Sequence, residues 1–426
     1  MENILNGLGN IINLGPTIVF PIFIIILGRI FKVGFEKSLK SGIIIGIGFV
    51  GINLVLELLI NTLGPLGEKI VERFGINLTV IDIGWSTTAA ATWAFPLTPV
   101  LIPMCIVVNL LLIYLKKTKT LNLDIWNYWH FIAAGSIGYI VTESYIWAII
   151  CTIIMEILIL FAADMTAKNV NEFWGLEGIS LPTGSTLSFV PLGYLIGKIV
   201  KKIPWIGNIK ADTITIQNKM GVFGEPIMIG ALLGIVLGLL AGYDIAEILN
   251  IAISMSAVML LMPRMVKTLM EGLIPISRSI KKILRKKYGD RQLYIGLDAS
   301  ITVGHPAVMS TALILVPITL FLAVILPGNK VIPFGDLATI PFYVAFLVCF
   351  MDGNIVHSVI VGSILISISL YMATNFAQVH TLLITNAQIS KLDNGILLSS
   401  LDVGGNAFKW IILKLSQLVN QLQIFI

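Results

Sequence analysis

The sequence predicts an all-α polytopic membrane protein, an inverted-repeat transporter whose spans are interrupted by re-entrant or broken helices. Three observations carry this. The 426-residue chain is 57% hydrophobic and only 12% charged, against about 25% charged residues in an average soluble domain. Apolar runs long enough to cross a bilayer recur along its whole length. Between them lie polar stretches rich in glycine, proline, serine and threonine that a spanning helix does not favour.

The runs, in order, are Ile18–Ile30, Ile43–Ile60, Leu97–Leu115, Ile146–Ala163, Ile227–Ala241, Ile248–Met262, Val308–Leu326, Phe342–Phe350 and Val359–Met372. A span needs roughly 20 mainly apolar residues, so the shorter runs are expected to extend into their flanks. The N-terminal stretch has no basic segment and no small-residue cleavage pattern, so it does not read as a signal peptide. Cys105, Cys151 and Cys349 stand far apart in apolar runs, which argues against a disulfide framework or a metal site. The net charge of +5 comes from short basic clusters typical of cytoplasmic loops, and it is no sign of nucleic-acid binding.

Those clusters set the topology. Lys32, Lys37 and Lys40 mark one loop; Lys116, Lys117 and Lys119 a second; Lys198, Lys201, Lys202 and Lys210 a third; the block from Arg264 to Arg291 a fourth. With all four inside, the N-terminus lies outside. Residues 76–93 and 176–192 must then enter and leave on one side. Irregular backbone at membrane depth is tolerated only where it is buried in protein or lines a cavity, so both segments point to an internal polar site.

The two halves of the chain also look alike. Gly15-Pro16 matches Glu225-Pro226, LNLDIW matches PFGDLA so that Asp124 falls on Asp336, and VIDIGWSTTAA matches GLDASITVGHP so that Asp82 falls on Asp298, all at spacings of about 210–216 residues. Opposite starting sides make this an inverted repeat, an architecture that places a transporter's site at the membrane midplane. The second half is then expected to carry re-entrant pieces near 293–307 and 374–392.

Ionisable groups inside spans are costly and default to functional candidates. They are Asp82, His130, Glu143, Glu177, Glu225, Asp298, His305 and Asp336. The competing reading of each carboxylate is a helix N-cap, and of His130 an interfacial residue beside Trp126 and Trp129. His357 and His380 fall near expected loop ends. Ser86, Thr87, Thr183, Ser185 and Thr186 supply hydroxyls and Trp85 an aromatic face. With no arginine in the broken elements, this mix suits a neutral polyol better than an anion. There is no Walker A loop and no H-E-x-x-H, so the chain carries no nucleotide-driven pump site or zinc-protease site of those kinds.

The stretches LGPTIVFPIFIIILGRI, VIDIGWS, LDIWNYWHF, EFWGLEGISLPTG, FGEP, AVMLLMPRMVK, YIGLDASITVGHPAV, PGNKVIPFGDLATI and LDVGGNAFKWI, in order over residues 14–412, carry a resemblance. The chain resembles the galactitol-type IIC component of the phosphoenolpyruvate-dependent sugar phosphotransferase system, within the ascorbate/galactitol superfamily. The resemblance implies a homodimer in one integral membrane unit, 1–426, with scaffold helices at 14–60 and 225–270. It implies a mobile, elevator-like core at 76–200 and 293–395, and a basic cytoplasmic loop at 271–292 facing a phosphocysteine IIB protein that a IIA protein recharges. No cofactor is implied. The implied sugar site takes Asp82, Gly84, Trp85 and Ser86; His130 and Ser136; Glu177, Pro182, Thr183 and Gly184; Asp298 and His305; and Gly335, Asp336 and Thr339. Family members read IPHG where this chain reads LPTG, so Thr183 stands in place of a histidine, and His305 is the expected substitute base. The family also continues through a further apolar helix where this chain ends in KLSQLVNQLQIFI, so the last helix is expected to be short, shifted or missing. An ion-coupled secondary transporter using Asp82, Asp298 and Asp336, and a binding-only sensor, are the alternatives.

Overall fold

A computed structural model describes residues 32–75, 78–288, 293–387 and 397–423, together with a few positions between 21 and 29. Helices dominate. Among the described residues, five are long and apolar enough to cross a membrane: α1 (Phe35–Arg73), then Tyr145–Trp174, Ile245–Leu269 within a longer helix, Pro306–Ile325 and Ile355–Asn386. Side chains such as Leu54, Ile253 and Phe321 point outward from such helices. For a chain of this hydropathy the surrounding solvent is lipid, which makes this a multi-pass membrane protein.

The first break follows α1. Strand β1 (Val80–Asp82) leads into α2 (Gly84–Trp93), and α2 meets α3 (Thr98–Tyr114) at a 95° bend. Gly84 has φ +78°, and a Cβ there would sit 2.8 Å from the carbonyl oxygen of Gly335. Only glycine combines that backbone with that approach. Strand β2 (Thr120–Asn122) precedes α4 (Tyr128–Thr142) and α5 (Tyr145–Trp174). The second break is β3 (Ile179–Ser180), the single turn α6 (Gly184–Leu187) and α7 (Val190–Lys202).

In the second half, α8 (Pro226–Ala241) and α9 (Ile245–Tyr288) pack along α1. Gly48 lies against Leu269, and Gly234 against Ala252. Small residues let these backbones approach closely where the hydrophobic effect offers no drive between helices. Residues 271–288, expected as part of a basic loop, are the continuation of α9; 289–292 lie outside the described residues. Then come β4 (Tyr294–Gly296), α10 (Ser300–Val303), α11 (Pro306–Ile325), β5 (Val331–Ile332), α12 (Ile340–Phe350), α13 (Ile355–Asn386), β6 (Leu397–Ser399) and α14 (Ala407–Gln421).

The short strands solve the backbone problem at the breaks. They form two parallel sheets, ordered β5-β1-β6 and β2-β4-β3. Each half's first strand thus lies between the other half's second and third, with Ile81 opposite both Ile332 and Leu398, and Ile295 opposite both Leu121 and Ile179. Peptide groups that leave a helix in the interior find partners this way rather than facing an apolar medium.

Two expectations are revised. The piece expected at 374–392 is helical through Asn386, and 388–396 lie outside the described residues. The polar letters that suggested a break face protein: His380 Nε2 lies 3.0 Å from Thr88 Oγ1, and Thr381 Oγ1 accepts from Leu398 N at 2.8 Å. His380 is therefore a buried helix residue, not one at a loop end. The second half's final break is instead β6 and the turn before α14. α14, 15 residues long, fills the bundle beside α4.

Candidate functional site

The tips of the broken elements converge on a cavity of about 680 Å³ of empty space, mouth included. One wall is α1, through Phe49, Ile52, Asn53 and Leu56. The opposite wall carries Trp85, Asp124, Trp126, Trp129, His130, Thr183, Ser185, Asp298, Ser300 and Thr339. Trp85 and Trp129 lie with ring centroids 6.4 Å apart. The Ser300 hydroxyl, buried on this wall, has no hydrogen-bond partner among the described residues.

Four aspartates hold the tips. Asp82 accepts from Gly84 N (3.0 Å) and Asp336 N (2.9 Å). Asp336 accepts from Trp85 N (2.8 Å), Thr339 Oγ1 (3.1 Å), Ser400 Oγ (2.7 Å) and Asp402 N (3.0 Å). Asp124 accepts from Trp126 N (3.0 Å) and Asp298 N (3.2 Å), and Asp298 from Ser300 N (2.7 Å). These are Asx-turn bonds, from the amide two residues on, and cross-half ties. Asp82 and Asp336 are buried and fully engaged in them, whereas Asp124 and Asp298 also border the cavity. Asp82 and Gly335 instead border a separate void of about 990 Å³ between α1 and the β5-β1-β6 sheet.

Thr183 sits at the centre of the polar wall. Its hydroxyl accepts from Ala299 N at 2.8 Å, and its proton points to Asn127 Oδ1 at 2.9 Å with Asp298 Oδ2 at 3.3 Å. Pro182 packs on Gly296. Gly184 lies so close to His130 that a Cβ would be 2.6 Å from the imidazole Cγ, which is why the turn after Thr183 begins with glycine.

Several expected residues lie elsewhere. Ser86 is exposed, and Ser136 is buried farther along α4, donating to Ala133 O. Glu177 occupies an exposed turn ahead of β3. Glu143 and Glu225 end helices. His305 is the N-cap of α11: its Nδ1 accepts from Ala307 N at 3.2 Å and its ring lies tilted against Phe173, centroids 4.6 Å apart. It is not among the residues lining the cavity. We expect His305→Ala to cost about 0.5–2 kcal/mol of stability, the usual range for a lost cap, and to leave uptake per folded molecule near wild type. Thermal unfolding and vesicle uptake measured side by side check this; a collapse of uptake at normal stability would restore the base role.

Other site residues are not apparent from the sequence. Lys409, three residues into α14, is fully buried behind the polar wall. Asp402, Asn127 and Ser400 complete the buried network. Among the described residues neither carboxylate oxygen of Asp402 has a hydrogen-bond partner, although Ser185 and Lys409 lie close to it. Among the described residues, no group of three or more His, Cys, Asp or Glu has the geometry of a metal site.

Several apolar spans, broken helices whose tips meet in the interior, and a cavity walled by tryptophans and hydrogen-bonding groups define a membrane permease for a small polar solute. Comparison with known proteins makes the class specific. Residues 10–395 match the family model for the sugar-specific permease component of the phosphotransferase system, and the chain belongs to that family. It is 40% identical over 404 residues, 95% of this chain and 89% of the other, to the galactitol-specific EIIC component of the phosphotransferase system of Escherichia coli K12, with the same values for that of E. coli O157:H7. It is 38% identical over 408 residues, 96% and 93% of the two chains, to a putative permease IIC component of E. coli K12. The protein is thus a sugar-specific phosphotransferase permease, and membership implies work with IIB and IIA phosphotransferase proteins.

Proposed function

We propose that the sugar is galactitol or a closely related hexitol, bound in the cavity between α1 and the broken-element tips and released inward for phosphorylation by a IIB phosphocysteine. The observation that carries this is the cavity wall itself: carboxylates and hydroxyls beside a tryptophan pair, with no arginine among the lining residues. Polyol hydroxyls donate to such acceptors while their C–H faces stack on aromatic rings. Similarity to the galactitol-specific component points to the same substrate class.

The wider assembly is read in the same way. Helices α1, α8 and α9 form a scaffold and dimer unit, corresponding to 14–60 and 225–270. The broken elements within 76–200 and 293–395 form a core that carries the sugar past it. The close packing of α1, α8 and α9 and the cavity between α1 and the tips support such a division. So does the exchange of first strands between the two halves, which is what an inverted repeat produces. The basic stretch within 271–292 faces IIB, and the protein lies in the bacterial inner membrane with its N-terminus outside.

The decisive measurement is uptake of radiolabelled galactitol and a panel of hexitols and pentitols by cells with and without the cognate IIB protein. Uptake should depend on phosphoenolpyruvate and IIB and be strongest for a hexitol of galacto configuration. Uptake that persists without IIB and collapses with the ion gradient would point to a secondary transporter instead.

A further inference from the structure

We infer that Lys409 is a positioning residue that fixes the tautomer of His130, so that His130 presents an N–H donor, and not a basic lone pair, to the sugar. Lys409 Nζ lies 3.3 Å from His130 Nδ1, 3.2 Å from the carbonyl oxygen of Asp402, and 4.8 Å from the centre of the Trp129 ring. The carboxylates of Asp402 and Asp336 are near enough to act on it electrostatically. An ammonium group facing a carbonyl oxygen, an aromatic face and an imidazole nitrogen has protons to give and no lone pair with which to accept one.

The consequence for His130 follows from hydrogen-bond inventory. If Nζ donates to Nδ1, Nδ1 carries the lone pair, and in a neutral imidazole the proton is then on Nε2. Nε2 is the nitrogen on the cavity side, 3.4 Å from Ser185 Oγ, and both residues line the cavity. The imidazole is locked further by Trp129, whose ring centroid is 4.0 Å away, and by Gly184 pressed against its Cγ. His130 thus offers one fixed donor among the cavity's acceptors. That donor addresses the oxygen of a hydroxyl whose own proton is given to a neighbouring acceptor, which discriminates a polyol from a deoxy analogue. A histidine fixed in this way cannot take the proton of the phosphoryl-accepting hydroxyl at Nε2.

The role in sugar binding rests on the polyol reading above; the tautomer does not, so the two are tested separately. The first arm is nitrogen-15 NMR of histidine-labelled protein in lipid without sugar, with the His130 signals identified by their absence in His130→Gln. The expected result is a protonated Nε2 and an unprotonated Nδ1. A protonated Nδ1 overturns the proposal whatever the substrate proves to be. The second arm is Lys409→Met, which keeps the apolar stem and removes the ammonium. The His130 signals are expected to move toward a tautomer mixture, and KM for the transported hexitol to rise about tenfold, the equivalent of one well-placed hydrogen bond. Unchanged signals and unchanged KM in a folded Lys409→Met protein overturn it as well. If that variant fails to fold, the wild-type spectrum alone decides.

Discussion

Replacing Asp336 by alanine is expected to abolish sugar uptake and to lower the stability of the protein by about 3–5 kcal/mol. The carboxylate is completely buried and accepts four hydrogen bonds from three parts of the chain: Trp85 N, Thr339 Oγ1, Ser400 Oγ and Asp402 N. Two of these donors are backbone amides at chain breaks and cannot turn elsewhere. An orphaned buried donor costs about 1–3 kcal/mol, while the two hydroxyls can re-aim. A loss of this size is a large part of the 5–15 kcal/mol by which folded domains typically exceed their unfolded state. Asp336→Asn is the sharper variant. It keeps the shape but retains one acceptor oxygen, and it turns an NH2 group toward two donors. We expect it to be at least as damaging as alanine. Thermal unfolding in detergent and uptake in vesicles measure both, and an alanine variant with a wild-type melting temperature would contradict the assignment of Asp336 as the tie between the tips.

What was legible in the sequence was what depends on composition and local order. The breaks at 76–93, 176–192 and 293–307 are visible because glycine, proline and hydroxyl residues stand at membrane depth, where a helix would place apolar ones. What joins the breaks was not legible. The six strands among the described residues are two or three residues each, shorter than any periodicity can register, and they pair across the halves of the chain. Lys409 is a single charge in an otherwise apolar helix start, and reading lysines as loop markers passes over it; its burial arises from contact with His130, 279 positions away. The polar letters of 374–386 read as a break because their partners, Thr88 and Leu398, come from elsewhere in the chain. His305 carried a usable signal: it directly precedes Pro306, and a residue before a proline at the first helical position is where an N-cap belongs.

Replacement of Thr183 by valine, at the position where the resemblance leads one to expect histidine, should reduce kcat/KM for the transported sugar about fivefold or more. Valine has nearly the same shape, so the experiment removes the hydroxyl and little else. That hydroxyl accepts from Ala299 N and donates toward Asn127 and Asp298. Its loss orphans a buried amide at the start of α10 and releases Asp298, a carboxylate on the cavity wall; at about 1–3 kcal/mol for the orphan, the effect spans roughly five- to more than a hundredfold. Thr183→Ser keeps the donor and acceptor and should stay within about threefold of wild type, since only a methyl group is lost. Thr183→His tests the residue that the resemblance leads one to expect at this position. A neutral imidazole has one lone pair to take the Ala299 amide and one N–H to give, so it can meet the same partners, with its bulk directed into the cavity. We therefore expect His to rank between Ser and Val for the preferred hexitol and to change the order of preference across a hexitol panel, because it narrows the cavity beside Asp298. If valine transports as well as threonine does, the hydroxyl is not what holds the polar wall, and Asp298 must be fixed by its bonds to Ser300 N and Asp124 alone.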